Sequence, residues 1–221
     1  MTIDCIPTGA FAVNTYIVPC CDGRENAVFV VDPGGDGEHI ASKIGTSHVS
    51  AIVLTHGHFD HLAALPKLKE LYPHAPVCIH RKDAAYVGTG AYDKHRADFA
   101  LLGASYLVDA LAAVYPQFPA ADILLTDGQY PEYAPDWQVL HTPGHTPGSV
   151  CLYNKKECVL LSGDTLFARS YGRTDLPGGS AELMAQSLEK LFLLDERTRV
   201  FPGHGGATTI GKEKNGGFCF V

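Results

Sequence analysis

Apolar positions along this chain come in short bursts whose period changes repeatedly. Phe11 to Val18 and Ala27 to Val31 have the composition of strands, the second closed by the turn Asp32-Pro33-Gly34-Gly35. Asp36 to Ile44 predicts a short helix. Ala51-Ile52-Val53-Leu54 is a continuous apolar run, the pattern of a strand buried on both faces. Leu62, Leu65, Leu68 and Leu71 then recur at helical spacing until Pro73. Val77-Cys78-Ile79 predicts another strand. From Val87 to Pro119 the pattern is mainly helical and breaks the strand rhythm, as an insertion or lid would. Strands return at Gln138 to His141, Val150 to Tyr153, Cys158 to Leu161 and Val200-Phe201. Between the last two lies an amphipathic helix, Ala181 to Leu194, with Ser180 as N-cap and Glu182 in its first turn. No linker or repeat divides the 221 residues, so the expectation is one α/β layered domain over 1–221, interrupted at about 87–119.

Composition narrows the partners. Hydrophobic residues make up 46% and charged residues 19%, which suits a globular protein with a sizeable core. A formal net charge of -7 argues against nucleic acid or an anionic membrane as partner, since both call for a basic face. No apolar run reaches the ~20 residues of a membrane span, and no basic-then-apolar leader opens the chain. The seven cysteines are scattered without a CxxC pair, and Cys78, Cys151 and Cys158 read as small buried hydrophobes. The expectation is a cytoplasmic protein acting on a small molecule.

The chemistry concentrates in Thr55-His56-Gly57-His58-Phe59-Asp60-His61, directly after the Ala51–Leu54 run. In extended backbone, residues i and i+2 point to the same side, so His56 and His58 can reach one ion. Asp60 and His61 follow where a helix begins and can aim at a second point nearby, although Asp60 could instead cap that helix. Imidazole and carboxylate are natural metal ligands, and a metal explains why they are packed so densely. His145 in Thr142-Pro143-Gly144-His145-Thr146-Pro147-Gly148-Ser149, Asp164 in Ser162-Gly163-Asp164-Thr165 and His204 in Pro202-Gly203-His204-Gly205 repeat one theme. Each is a ligand-type side chain in a glycine-containing turn after a short strand, where α/β proteins build their sites.

HxHxDH followed by PGHTPGS, SGDT and PGHG resembles the metallo-β-lactamase-fold superfamily, over nearly the whole chain. Gly172-Arg173-Thr174-Asp175-Leu176-Pro177-Gly178-Gly179 and Thr208-Thr209-Ile210-Gly211-Lys212-Glu213 are most similar to the single-domain glyoxalase II-like hydrolases. The resemblance implies a four-layer αββα sandwich with its site at one edge of two sheets. It implies a first metal on His56, His58 and His145, and a second on Asp60, His61 and His204. Asp164 would bridge them, with Asp60 and Asp164 as the carboxylates engaged in catalysis. Two divalent cations, zinc first and iron or manganese as alternatives, would lower the pKa of a shared water and polarise a thioester carbonyl. The substrate implied is an S-acyl conjugate of a small thiol, such as a hydroxyacylglutathione.

The pattern also departs from that subgroup. Glyoxalase II carries a C-terminal helical domain that contacts glutathione, whereas this chain ends at Val221. Gly205-Gly206 follow His204 where glyoxalase II has an acidic residue and a tyrosine. Arg173 is a candidate for binding an anionic substrate group, yet an Arg173–Asp175 pair that fixes the loop is the commoner arrangement. Two other activities share the fold: a mononuclear-iron persulfide dioxygenase, and a lactonase or lactamase.

Overall fold

The first half of the chain forms β1 (Asp4–Thr8), β2 (Val13–Pro19), β3 (Ala27–Val31), α1 (Gly37–Ile44), β4 (His48–Val53), α2 (Leu65–Leu71), β5 (Val77–His80), α3 (Ala91–Ala100), α4 (Ser105–Val114) and β6 (Ile123–Leu125). The structure is a computed structural model that describes residues 1–20 and 23–216. Strands β1 to β6 make one sheet in sequence order, antiparallel from β1 to β3 and parallel from β3 to β6. Parallel neighbours need crossovers, and the helices of this half supply them.

The second half adds β7 (Gln138–His141), β8 (Val150–Asn154), β9 (Val159–Gly163), a ribbon of β10 (Leu166–Phe167) and β11 (Ser170–Tyr171), α5 (Ala181–Leu191), β12 (Arg199–Pro202), β13 (Thr208–Thr209) and α6 (Ile210–Asn215). The second sheet has the order β13-β12-β9-β8-β7. β9 and β12 are parallel, while β8 runs antiparallel to both β7 and β9, so β7, β9 and β12 all end at the same edge.

Alternation along the strands creates three apolar layers. Val28 and Val30 face α1 and α2, whereas Phe29 and Val31 face the other sheet. Leu152 and Leu161 meet them there, with Trp137 set edge-on to Phe29 at 5.6 Å. Burying each such leucine contributes about 1.5–3 kcal/mol. Cys151, Tyr153 and Leu160 point outward onto Met184, Leu188 and Leu191 of α5. The result is a four-layer αββα sandwich.

Several boundaries differ from the sequence reading. The strand leading to the histidines begins at His48, and the helix expected from Leu62 begins at Leu65 with Pro66 in its first turn. A short 3-10 turn, Phe59–His61, carries Asp60 and His61 instead. Asp60 therefore does not cap a helix; Ala64 holds the N-cap position, without a side-chain hydrogen bond. Strands β1, β6, β10, β11 and β13 and helix α6 lie outside the sequence reading; segments of two or three residues such as β6, β10, β11 and β13 show no resolvable period. Cys158 is half-buried in a left-handed turn (φ 51°) rather than in the core, while Cys78 and Cys151 are buried. Cys5, Cys78, Cys151 and Cys158 are free thiols; Cys21 and Cys219 lie outside the described residues. Among the described residues no helix is long and apolar enough to cross a membrane.

Candidate metal centre

The carboxyl ends of β3, β4, β7, β9 and β12 lead into the turns that hold the candidate residues. The hydrogen bond from Val150 N to Thr55 O, 2.8 Å, ties the two sheets together there. The chain bends at Thr55 and His56 after β4 and is extended at His58, and the His56 and His58 ring centroids lie 4.9 Å apart. Each of His56, His58 and His145 presents a donor atom within 4.8 Å of the other two. Asp60, His61 and His204 form a second triad by the same measure. Asp164 lies between them, its Oδ2 3.6 Å from both His145 Nε2 and His204 Nε2, and its Oδ1 3.3 Å from His61 Nε2. All seven residues singled out in the sequence are thus brought to one place, from the four segments that follow β4, β7, β9 and β12.

The donor chemistry suits a divalent cation. His56 Nε2 and Asp164 Oδ1 are buried with no hydrogen-bond partner, which is costly unless an ion takes them up. Burial, followed by the neighbouring imidazoles, pushes His56 well below the ordinary histidine range and His58 down to about 3. Both are therefore neutral, the form a metal requires. Burial acts against charge on His61 as well, yet Asp164, Asp32 and Asp60 outweigh it and hold its pKa high. For Asp164 and Asp60, burial is likewise outweighed, chiefly by His61, and both carboxylates are shifted down. Burial opposes the charge on His204 too, but the hydrogen bond to Asp60 and the charge of Asp164 raise it.

Glycine at Gly203 lets the two halves meet. A Cβ there would overlap Asp164 Oδ1 and come 2.6 Å from His61 Cε1. Asn14 secures the same turn, donating from Nδ2 to the carbonyls of Pro202 and Gly205, while Tyr16 Oη donates to Pro202 O at 2.6 Å.

Two buried aspartates behind the triads were missed in the sequence. Asp32 reads there only as a turn residue, yet it accepts from Thr55 N at 2.7 Å, Thr55 Oγ1 at 2.6 Å and His61 Nδ1 at 2.9 Å. That bond leaves His61 Nε2 facing the cluster. The available signal was an acidic residue directly after an apolar strand and before Pro33-Gly34-Gly35; the structure holds it in left-handed backbone (φ 51°). Asp83 accepts from Gly57 N (2.9 Å), Gly148 N (2.7 Å) and Thr146 Oγ1 (2.6 Å), so one carboxylate joins the His58 turn to the His145 turn. Burial raises its pKa against those bonds. Nothing local in the sequence marks it.

Arg173 and Asp175 form a bidentate ion pair, with N–O distances of 2.8 and 2.7 Å, at the surface. The Arg173 carbonyl accepts from His145 Nδ1 at 2.8 Å, which leaves Nε2 of that ring facing the cluster. Arg173 also edges a cavity of about 460 Å³ that opens over both triads. Its far wall is apolar, with Phe11, Phe99, Leu102 and Leu176. Phe99 and Leu102 belong to the 87–119 segment, which packs on the first sheet through Phe99 and Val108.

Comparison with known proteins agrees with this arrangement. The sequence model described as the Metallo-beta-lactamase superfamily matches residues 8–204. The chain is 34% identical to the Probable metallo-hydrolase YqgX of Bacillus subtilis, over 95% of this chain and 93% of that one. It is 30% identical to hydroxyacylglutathione hydrolase GloC of Haemophilus influenzae, over 97% and 95% respectively. Among solved structures it is similar to the BLEG-1 B3 metallo-beta-lactamase, with 36% identity, a TM-score of 0.81 and 97% of each chain covered. It is also similar to TTHA1623 in a di-iron-bound form, with 32% identity, a TM-score of 0.77 and coverage of 96% and 97%.

Proposed function

This chain belongs to the metallo-beta-lactamase superfamily, and from that premise we propose that it is a dinuclear metallo-hydrolase that cleaves the thioester of a small thiol. The observation that carries the proposal is the position of Asp164, equidistant from His145 of one triad and His204 of the other. His56, His58 and His145 would hold one cation, Asp60, His61 and His204 the other, and Asp164 both. Cations held there would supply an acidified water and a polarised carbonyl. The protein's own part is positioning. Asp32 and the Arg173 carbonyl aim the Nε2 atoms of His61 and His145 at the cluster, and Asp83 fixes the spacing of two ligand turns. Asp60, which lines the cavity, would be the carboxylate that takes a proton from the attacking water.

The hydroxyacylglutathione hydrolase of Haemophilus influenzae supports thioesters as the substrate class. Zinc is the ion the donor set first suggests, and the di-iron form of TTHA1623 puts iron beside it. A second reading, opening of a β-lactam amide, draws on the 36% identity to BLEG-1. The test is metal analysis of protein purified without added metal, combined with thiol release from a thioester panel and turnover of a chromogenic cephalosporin. Two metals per chain with thioester turnover support the proposal. Cephalosporin turnover alone favours the second reading. A single iron with persulfide-dependent oxygen uptake and no hydrolysis overturns both.

A further inference from the structure

The cavity over the triads has a wall that the hydrolytic chemistry does not use. Phe11 stands in the β1–β2 turn and Leu102 in the α3–α4 turn, and they remain 42% and 39% exposed although both line the cavity. Phe99 backs Phe11 edge-on at 5.8 Å, and Leu176 closes the side beyond Arg173. Four apolar side chains from three separate segments therefore line the same space as the donor atoms. Convergent exposed apolar groups at a concave site mark a binding surface for an apolar ligand.

The charges point the same way. Apart from the triads and Asp164, the charged residues lining this cavity are Asp98 and Arg173. The Arg173 guanidinium is already matched by the Asp175 carboxylate, and the Asp98 carboxylate is paired with Lys94 Nζ at 3.7 Å. A thiol bearing several carboxylates thus meets no unmatched side-chain cation on the described wall. Beyond Phe11 and Asp60 a shallower groove of about 350 Å³ continues along α4, lined by Leu107, Leu111 and Val114, with room for a longer chain.

We infer that the arm of the substrate flanking the reacting carbonyl is a neutral hydrocarbon chain or ring, seated on Phe11, Phe99, Leu102 and Leu176. This inference deepens the thioester reading and rests on it for the identity of the scissile bond.

The test uses thioesters of N-acetylcysteamine from acetyl to octanoyl beside S-lactoylglutathione, with metal-loaded enzyme. Calorimetric binding of the matching S-alkyl thioethers, which cannot be hydrolysed, gives a second readout. kcat/KM is expected to rise about three- to fourfold per methylene until the wall is covered, and to exceed that for S-lactoylglutathione. Thioether affinity should climb in parallel. Phe11→Ser and Leu102→Ser, both at exposed positions, should flatten each series. Thioether affinity that climbs while no thioester is cleaved would support the apolar wall and sink the thioester reading. Thioester cleavage indifferent to chain length, or a preference for S-lactoylglutathione, would overturn the inference and leave that reading standing. Neither cleavage nor length-dependent binding would overturn both.

Discussion

His61 Nδ1 donates to Asp32 Oδ2 at 2.9 Å in a fully buried hydrogen bond between residues 29 apart in sequence. Asp32 also holds Thr55 by its backbone N–H and its hydroxyl, so one side chain anchors both ends of the HxHxDH segment. Asp32→Ala strands the buried N–H donors of Thr55 and His61, leaving the Thr55 hydroxyl only His56 Nδ1 at 3.1 Å, and is expected to cost about 3 kcal/mol of stability. It should also weaken metal binding at the second triad by ten- to a hundredfold. Asp32→Asn keeps the left-handed backbone and one acceptor, so it should recover part of both losses. Denaturant melts with metal titration would check this; an Asp32→Ala protein that binds metal normally would contradict the positioning role.

Asp164 faces both triads, whereas His204 belongs to one. Asp164→Ala is therefore expected to lower occupancy of both metal positions, while His204→Ala should take the metal content from two to about one per chain. Metal analysis after gel filtration separates the outcomes. An Asp164→Ala protein that retains full metal content would refute the bridging role.

Asp83 accepts from two ligand turns at once. Asp83→Ala leaves Gly57 N and Gly148 N unpaired, while the Thr146 hydroxyl keeps Ser149 Oγ at 2.8 Å, an expected loss of about 2–4 kcal/mol. Because the turns it joins carry His58 and His145, metal affinity should fall at the first triad more than at the second. Equal loss at both triads, read by competitive chelation, would show a general rather than a local effect.

His80 and His141 stack across the two sheets with ring centroids 4.2 Å apart and planes 11° from parallel. Burial, and then the adjoining His141, pushes His80 down to about 4 from the ordinary 6.5. The unfolded chain thus takes up a proton near 6.5, while the folded chain resists until about 4. Unfolding binds protons in that window, so this pair's contribution to stability is complete above 6.5 and shrinks as pH falls toward 4. The difference in unfolding free energy between wild type and His80→Gln should vary with pH across the window and stay level above it. A constant difference from pH 4 to 8 would rule out this linkage.

The chain's local pattern already held much of the fold and the inner ring of the site. Ala51–Leu54 reads as a buried strand because all four side chains are apolar, and Ala181 onward reads as a helix because its apolar face recurs at helical spacing. The seven candidate donor residues were legible for a related reason: one arrangement, a ligand-type side chain in a glycine-bearing turn after a short strand, recurs four times. What supports and surrounds them was not legible. Asp32 and Asp83 act through hydrogen bonds to residues 23 to 65 positions away, and a carboxylate's partners leave no local trace in its own segment. Phe11, Phe99, Leu102 and Leu176 likewise form one wall only once two sheets have packed. Short-range periodicity records which face of an element is buried, whereas the pairing of loop side chains across the molecule is decided by tertiary packing.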